Sequence, residues 1–143
     1  MSCGSSENMT HPRLAPIVAT ALCAVFLVGC NGGTVDRHAL TNDAATVDSI
    51  ACEGALLAHE VGQGKTTSNY TREQAEELEI QSSNLADALE KRPALPSIEQ
   101  RVRAKARDAA KLATTLRRLG DHPSDRDVAV SVEGQLARLG RCP

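Results

Sequence analysis

Few side chains in this sequence combine the type and the spacing that chemistry requires. His38, His59 and His122 are the histidines beyond residue 30. None belongs to a Glu-x-x-His or His-Glu-x-x-His arrangement, the spacings that put di-iron or zinc ligands on one helical face. The same stretch has no methionine, which removes one of the usual haem ligands. His59 falls at the end of a helical pattern and off its apolar stripe, as a partly solvated helix-end histidine would. Ser82, Ser83 and Ser131 have no histidine and carboxylate close in sequence, a weak argument because such triads assemble from distant positions. Residues 62–67 read Gly-Gln-Gly-Lys-Thr-Thr, but a phosphate-binding loop needs glycine where His59 stands, a strand before it and a helix directly after. A flexible glycine turn is the expectation, with the next helix waiting until Thr71. No catalytic constellation emerges, so an enzyme is not expected and no cofactor is implied.

The cysteines carry more. Residues 14–28 run without a charge from Leu14 to Val28 and end in Leu27-Val28-Gly29-Cys30. The run falls short of the roughly 20 apolar residues of a membrane span and suits the core of an export signal. Its ending resembles the lipobox of bacterial lipoproteins, matching each position of that short motif. The resemblance covers only the first thirty or so residues. It implies cleavage before Cys30, a diacylglyceryl group on the thiol and acylation of the new amine, so that membrane lipid is the first partner. Two or three chains on one residue anchor firmly, at about 0.8 kcal/mol per buried methylene. It also implies an extracytoplasmic location, in the cell membrane or, with Asn31 rather than Asp after the cysteine, the outer membrane of a two-membrane cell. The n-region counted from Met9 (Met-Thr-His-Pro-Arg) is positive, whereas Glu7 cancels Arg13 when it is counted from Met1; translation from Met9 is therefore expected.

On that reading residues 1–29 are the signal, 30–42 a lipidated cysteine with a flexible tether, and 43–143 one small domain. Fifteen Lys and Arg then face seventeen Asp and Glu, a balance that implies no nucleic-acid partner. With Cys3 and Cys23 lost in the signal and Cys30 lipidated, Cys52 and Cys142 remain, and a disulfide between them is expected in an oxidising compartment. A zinc site from Cys52, His59, His122 and Cys142 is the alternative, although neither pair has a zinc-finger spacing. Beyond residue 30 there is no Trp or Phe and a single Tyr, Tyr70, so a thin, alanine-rich core is expected, helped by that bridge.

Hydrophobic periodicity predicts three or four helices in a small antiparallel up-down bundle, an all-α fold. The first starts at Asn42 or Asp43 and carries Val47, Ile50, Ala51, Gly54, Leu57, Ala58 and Val61 on one stripe, with Gly54 admitting a close neighbour. Gly62 and Gly64 stop it. A second opens with a capping box at Thr71 and buries Ala75, Leu78, Ser82, Leu85 and Leu89. Pro93 and Pro96 form a corner, and Ser97-Ile98-Glu99-Gln100 reads as a second capping box. Ile98, Val102, Ala106, Ala109, Ala113 and Leu116 follow on one face, widened by Leu112 and Leu119 and closed by Gly120. The last segment, capped by Ser124, suits a helix through Val128, Val132, Leu136, Leu139 and terminal Gly140, though Val128, Val130 and Val132 also alternate like a strand.

Charge is segregated between the middle helices. The second is acidic (Glu73, Glu76, Glu77, Glu79, Asp87 and Glu90) and the third basic, with Arg101, Lys105, Arg117 and Arg118 and, at intervals of four, Arg103, Arg107 and Lys111. Those three cations read as a contact for an anionic surface, either lipid headgroups or an envelope polymer. The competing reading is that the two helices simply complement each other's flanks. The expected function is a membrane-anchored binding or structural module of the cell envelope. The alternatives are a small-ligand or metal carrier using the bundle interior and, less favoured, an envelope hydrolase.

Overall fold

The computed structural model describes residues 33–142, which form four helices. These are α1 (Arg37–Gly62), α2 (Ser68–Lys91), α3 (Glu99–Asp121) and α4 (Arg126–Gly140). The apolar run, the lipobox with Cys30 and the alternative start at Met9 lie outside the described residues. No described helix is long and apolar enough to cross a membrane.

The helices pack as an antiparallel up-down bundle. α1 pairs mainly with α4 and α2 mainly with α3, and the two pairs join where α3 meets α4 and where α1 meets both α2 and α3. Directions follow from side-chain neighbours. Gly140 of α4 lies against Ala51 and Gly62 of α1 against Val130, so these two run oppositely. Gly120 lies against Ala75 and Arg103 bonds to Glu90, so α3 opposes α2. Lys105 meets Asp48 while Leu116 meets Gly54, so α1 and α3 run parallel across the bundle's diagonal. At Gly54 a β-carbon would sit 2.7 Å from Leu116 Cδ2 and 2.9 Å from Leu136 Cδ1, so the missing side chain brings three helices together.

The expected stripe of α1 is buried at every position, and Leu40 and Ala55 extend it. α3 likewise buries Val102, Ala106, Ala109, Leu112, Ala113, Leu116 and Leu119. α2 buries Ala75, Leu78, Ser82 and Leu89 as expected, with Ala86 in the seam and Leu85 only partly covered. Ser82 is satisfied inside by donating to the Leu78 carbonyl at 2.8 Å. The last segment is a helix throughout, and Val130, the middle valine of the apparent alternation, is 62% exposed.

The caps fall elsewhere than expected. α1 begins before Asn42, at Asp36, whose Oδ1 accepts from the Ala39 amide at 2.8 Å. The cause is a contact distant in sequence. Val35 is fully buried and pairs in parallel with Ala94. Its amide donates to the Pro93 carbonyl at 2.7 Å, and its carbonyl accepts from Leu95 at 3.3 Å. Val35 joins Leu40, Leu89, Ile98, Val102 and Ala106 in a second apolar cluster at this end of the bundle. Residues 35–42 therefore belong to the domain and not to a tether. α2 is capped by Thr67, and Thr71 is buried in its first turn, donating to Thr66. The expected cap at Ser97 is not the one formed: Ile98 takes the cap position of α3 and, having no polar side-chain atom, makes no cap bond; its 2% exposed side chain joins the second apolar cluster instead. Asp125, one residue after Ser124, caps α4 by accepting from the amides of Asp127 and Val128.

Cys52, midway along α1, is bonded to Cys142 just beyond α4, with Cα atoms 5.4 Å apart. The bond closes a separation of 90 residues. In the chain-entropy model a loop of that size removes about 4–5 kcal/mol of freedom from the unfolded chain.

Candidate functional site

The disulfide consumes both thiols of the alternative zinc set. Among the described residues no group of three or more His, Cys, Asp or Glu is placed to hold a metal ion. His59 reaches sideways to α4, where its Nδ1 lies 3.1 Å from Glu133 Oε1, while its Nε2 lies 2.7 Å from Gln63 Nε2. His122 is the exposed C-cap of α3, and His38 is exposed in the first turn of α1. The serines named as possible nucleophiles meet none of these rings: Ser82 bonds to the Leu78 carbonyl and Ser131 accepts from Gln135. The residues of the glycine-rich turn act as connectors. Gly64 takes a φ of +69°, Lys65 lies 3.9 Å from Glu60, and Thr67 caps α2.

The cations of α3 are deployed unequally. Arg117 turns to α2 and pairs with Glu79. Arg103 donates to the Glu90 carbonyl at 2.7 Å and lies 4.0 Å from Glu99 of its own helix. Arg107 and Lys111 continue this line at intervals of four residues, both exposed, and neither makes an ion pair with a described residue. Complementarity with α2 thus accounts for Arg117 and part of Arg103. It leaves Arg107 and Lys111 facing water.

Besides openings beside the Arg117–Glu79 pair and beside Arg103 and Arg107, three further open grooves border these helices. Between α3 and α4 a groove of about 540 Å³ has Lys111 and Arg138 among its walls, with Thr114, Gln135 and Leu139 between them. Between α1 and α2 a smaller one of about 200 Å³ is lined by Leu56 and Tyr70, both more than half exposed, and by Glu53 and Glu60. The third, of about 350 Å³, lies where α1 and α3 begin and α4 ends, and brings together Thr41, Arg101, Lys105 and Arg141. None of the three contains a nucleophile paired with a base; what they offer is charge and hydrogen-bond donors. No family, curated protein or solved structure matches the chain.

The convergence of Arg101, Lys105 and Arg141 escaped the reading of the sequence. Arg101 and Lys105 stood there only as members of a basic helix, and Arg141 had no role. A signal was present nonetheless. A bond between Cys52 and Cys142 fixes the residue just before Cys142 near α1, beside whatever α3 presents at that end.

Proposed function

We propose that the protein is a lipid-anchored module of the cell envelope, held through Cys30 on the extracytoplasmic side, that works by presenting the surface of a small helical bundle to a partner. The observation that carries this reading is the cysteine at the end of the uncharged run, in Leu27-Val28-Gly29-Cys30. Two features of the bundle support the choice of surface over interior. The junction of α1, α3 and α4 is filled to contact at Gly54, and the grooves between helices are open to solvent. Exposed cations without carboxylate partners, Arg107 and Lys111, continue the line from Arg103 and suit an anionic partner: an envelope polymer, a protein or the headgroups themselves.

Intact mass of the protein extracted from membranes, before and after reduction, tests the anchor. The expected result is loss of residues 1–29, a gain matching two or three acyl chains, and two further hydrogens on reduction. An uncleaved, unlipidated mass would overturn the localisation and the partner class with it. A carrier that uses the bundle interior would instead show a ligand-dependent rise in melting temperature.

A further inference from the structure

We infer that the pocket of Arg101, Lys105 and Arg141 is a phosphate-binding site whose ligand is the phosphodiester of an anionic lipid headgroup. Arg141 is the one described non-glycine residue with a positive φ, at φ 52° and ψ 40°, where it caps α4. Helices usually give this left-handed position to glycine or asparagine, because a β-carbon is strained there. Gly140, immediately before, serves a different purpose. A β-carbon on it would lie 2.7 Å from Ala51 Cβ and 2.8 Å from the Asp48 carbonyl, so it is held for close packing. The left-handed residue is therefore the next one, and it carries a guanidinium.

That unfavourable conformation is pinned through the residue that follows it. The Cys142 amide donates to the Ala137 carbonyl, and Cys142 is covalently tied to Cys52. Strain that the surroundings over-determine is a recognised mark of a site. Here it delivers Arg141 to a pocket whose other cations come from α3, with Thr41 of α1 in the wall. Lys105 is already occupied, 3.8 Å from Asp48 and 3.5 Å from Asp108. Arg101 and Arg141 make no ion pair with any described residue. Two guanidinium forks beside one held ammonium match the several oxygens of a phosphate better than a single carboxylate.

The location selects the source of the phosphate. The pocket includes Leu40, which shares an apolar cluster with Val35, and residues 31–34 separate Val35 from Cys30. A lipidated Cys30 would keep this end of the bundle close to the headgroups. The choice of headgroup over free phosphate rests on the anchoring proposed above; the phosphate site does not.

The test is calorimetric titration of the full protein, extracted from membranes into a non-ionic detergent. The probes are glycerophosphoglycerol, glycerophosphocholine and inorganic phosphate. Glycerophosphoglycerol should bind most tightly. Arg141→Gly should raise the melting temperature by about 3–6 °C, by relieving the backbone. It should also weaken that binding by about tenfold or more. Arg101→Gln should weaken binding comparably with the melting temperature unchanged. If Arg141→Gly stabilises the fold and binds as the parent does, the residue is only a cap and the proposal falls. It falls equally if none of the three probes binds. Inorganic phosphate binding as tightly as glycerophosphoglycerol would overturn the headgroup assignment while leaving the phosphate site. Neither result touches the anchor, which the mass measurement decides independently.

Discussion

Gly140 and Gly54 look alike in sequence, each a helical glycine where alanine should be worth up to about 1 kcal/mol of helix propensity. Their surroundings separate them. The β-carbon of Gly54→Ala would press on the methyl ends of Leu116 and Leu136, which have rotamers to adjust. That of Gly140→Ala would meet the Asp48 carbonyl and Ala51, which cannot withdraw without moving α1, and Cys142 Sγ at 3.0 Å. Overpacking then exceeds propensity at one site and roughly cancels it at the other. Gly140→Ala should lower stability by about 2–3 kcal/mol and Gly54→Ala by less than about 1 kcal/mol, read from urea midpoints at constant m. Asp43 is a second case where one side chain's setting decides a sign. Its carboxyl is 19% exposed, 3.4 Å from Arg92, and burial lifts its pKa above 3.8, with Arg92 opposing. The folded chain therefore holds this proton more tightly than the unfolded one. The group disfavours the fold at neutral pH, and that effect fades as pH falls through the raised value. Asp43→Asn should be the more stable protein near neutrality, with the gap to wild type closing below about pH 4. A less stable variant at neutral pH would mean that the pairing with Arg92 outweighs burial.

At the scale of elements, the helices were legible and their starts were not, for a physical reason. An apolar stripe is written many times over, so Val47 through Val61, or Val102 through Leu119, survive any local ambiguity. A cap is written once, in residues that also suit turns. Ser124 and Asp125 are both good candidates, and only the local fold decides between them. Asp125→Ala should cost about 1 kcal/mol, since two amides lose their acceptor, while Ser124→Ala should cost a few tenths. Thermal melts of the two variants would separate the roles, and equal losses would place the cap on both. The start of α1 was hidden differently. Asp36 is as eligible a cap as Asn42 or Asp43, and what selects it is Val35 pairing with Ala94 across the sequence. The candidate phosphate site was hidden in the same way. Its cations come from α3 and from the residue after α4, and its left-handed position falls beside a glycine that seemed sufficient to end the helix.

For the whole molecule, a buried Val35 changes what the proposed anchor at Cys30 could do. With residues 31–42 free, the reach from Cys30 would be about 40 Å; with only residues 31–34 before a buried Val35, it is about 17 Å. If Cys30 is lipidated as proposed, a domain on so short a leash has an end near the membrane and an end far from it. Leu95 marks the near end, since its amide donates to the Val35 carbonyl, and it is 43% exposed. Val130 marks the far end, packed beside Gly62 at the close of α1 and 62% exposed. The two α1 termini are separated by 26 residues of helix, close to 40 Å at about 1.5 Å each. The chain has no tryptophan, so Leu95→Trp and Val130→Trp each install a single reporter at a surface position. In vesicles bearing the lipidated protein, lipids with a quencher at headgroup depth should quench the first strongly and the second little. Raising ionic strength should reduce the difference if cations at this end hold the bundle upright against an anionic surface. Equal quenching at low salt would mean that the bundle lies flat, with the outer face of α3, through Arg107 and Lys111, taking the place of its end as the contact with lipid.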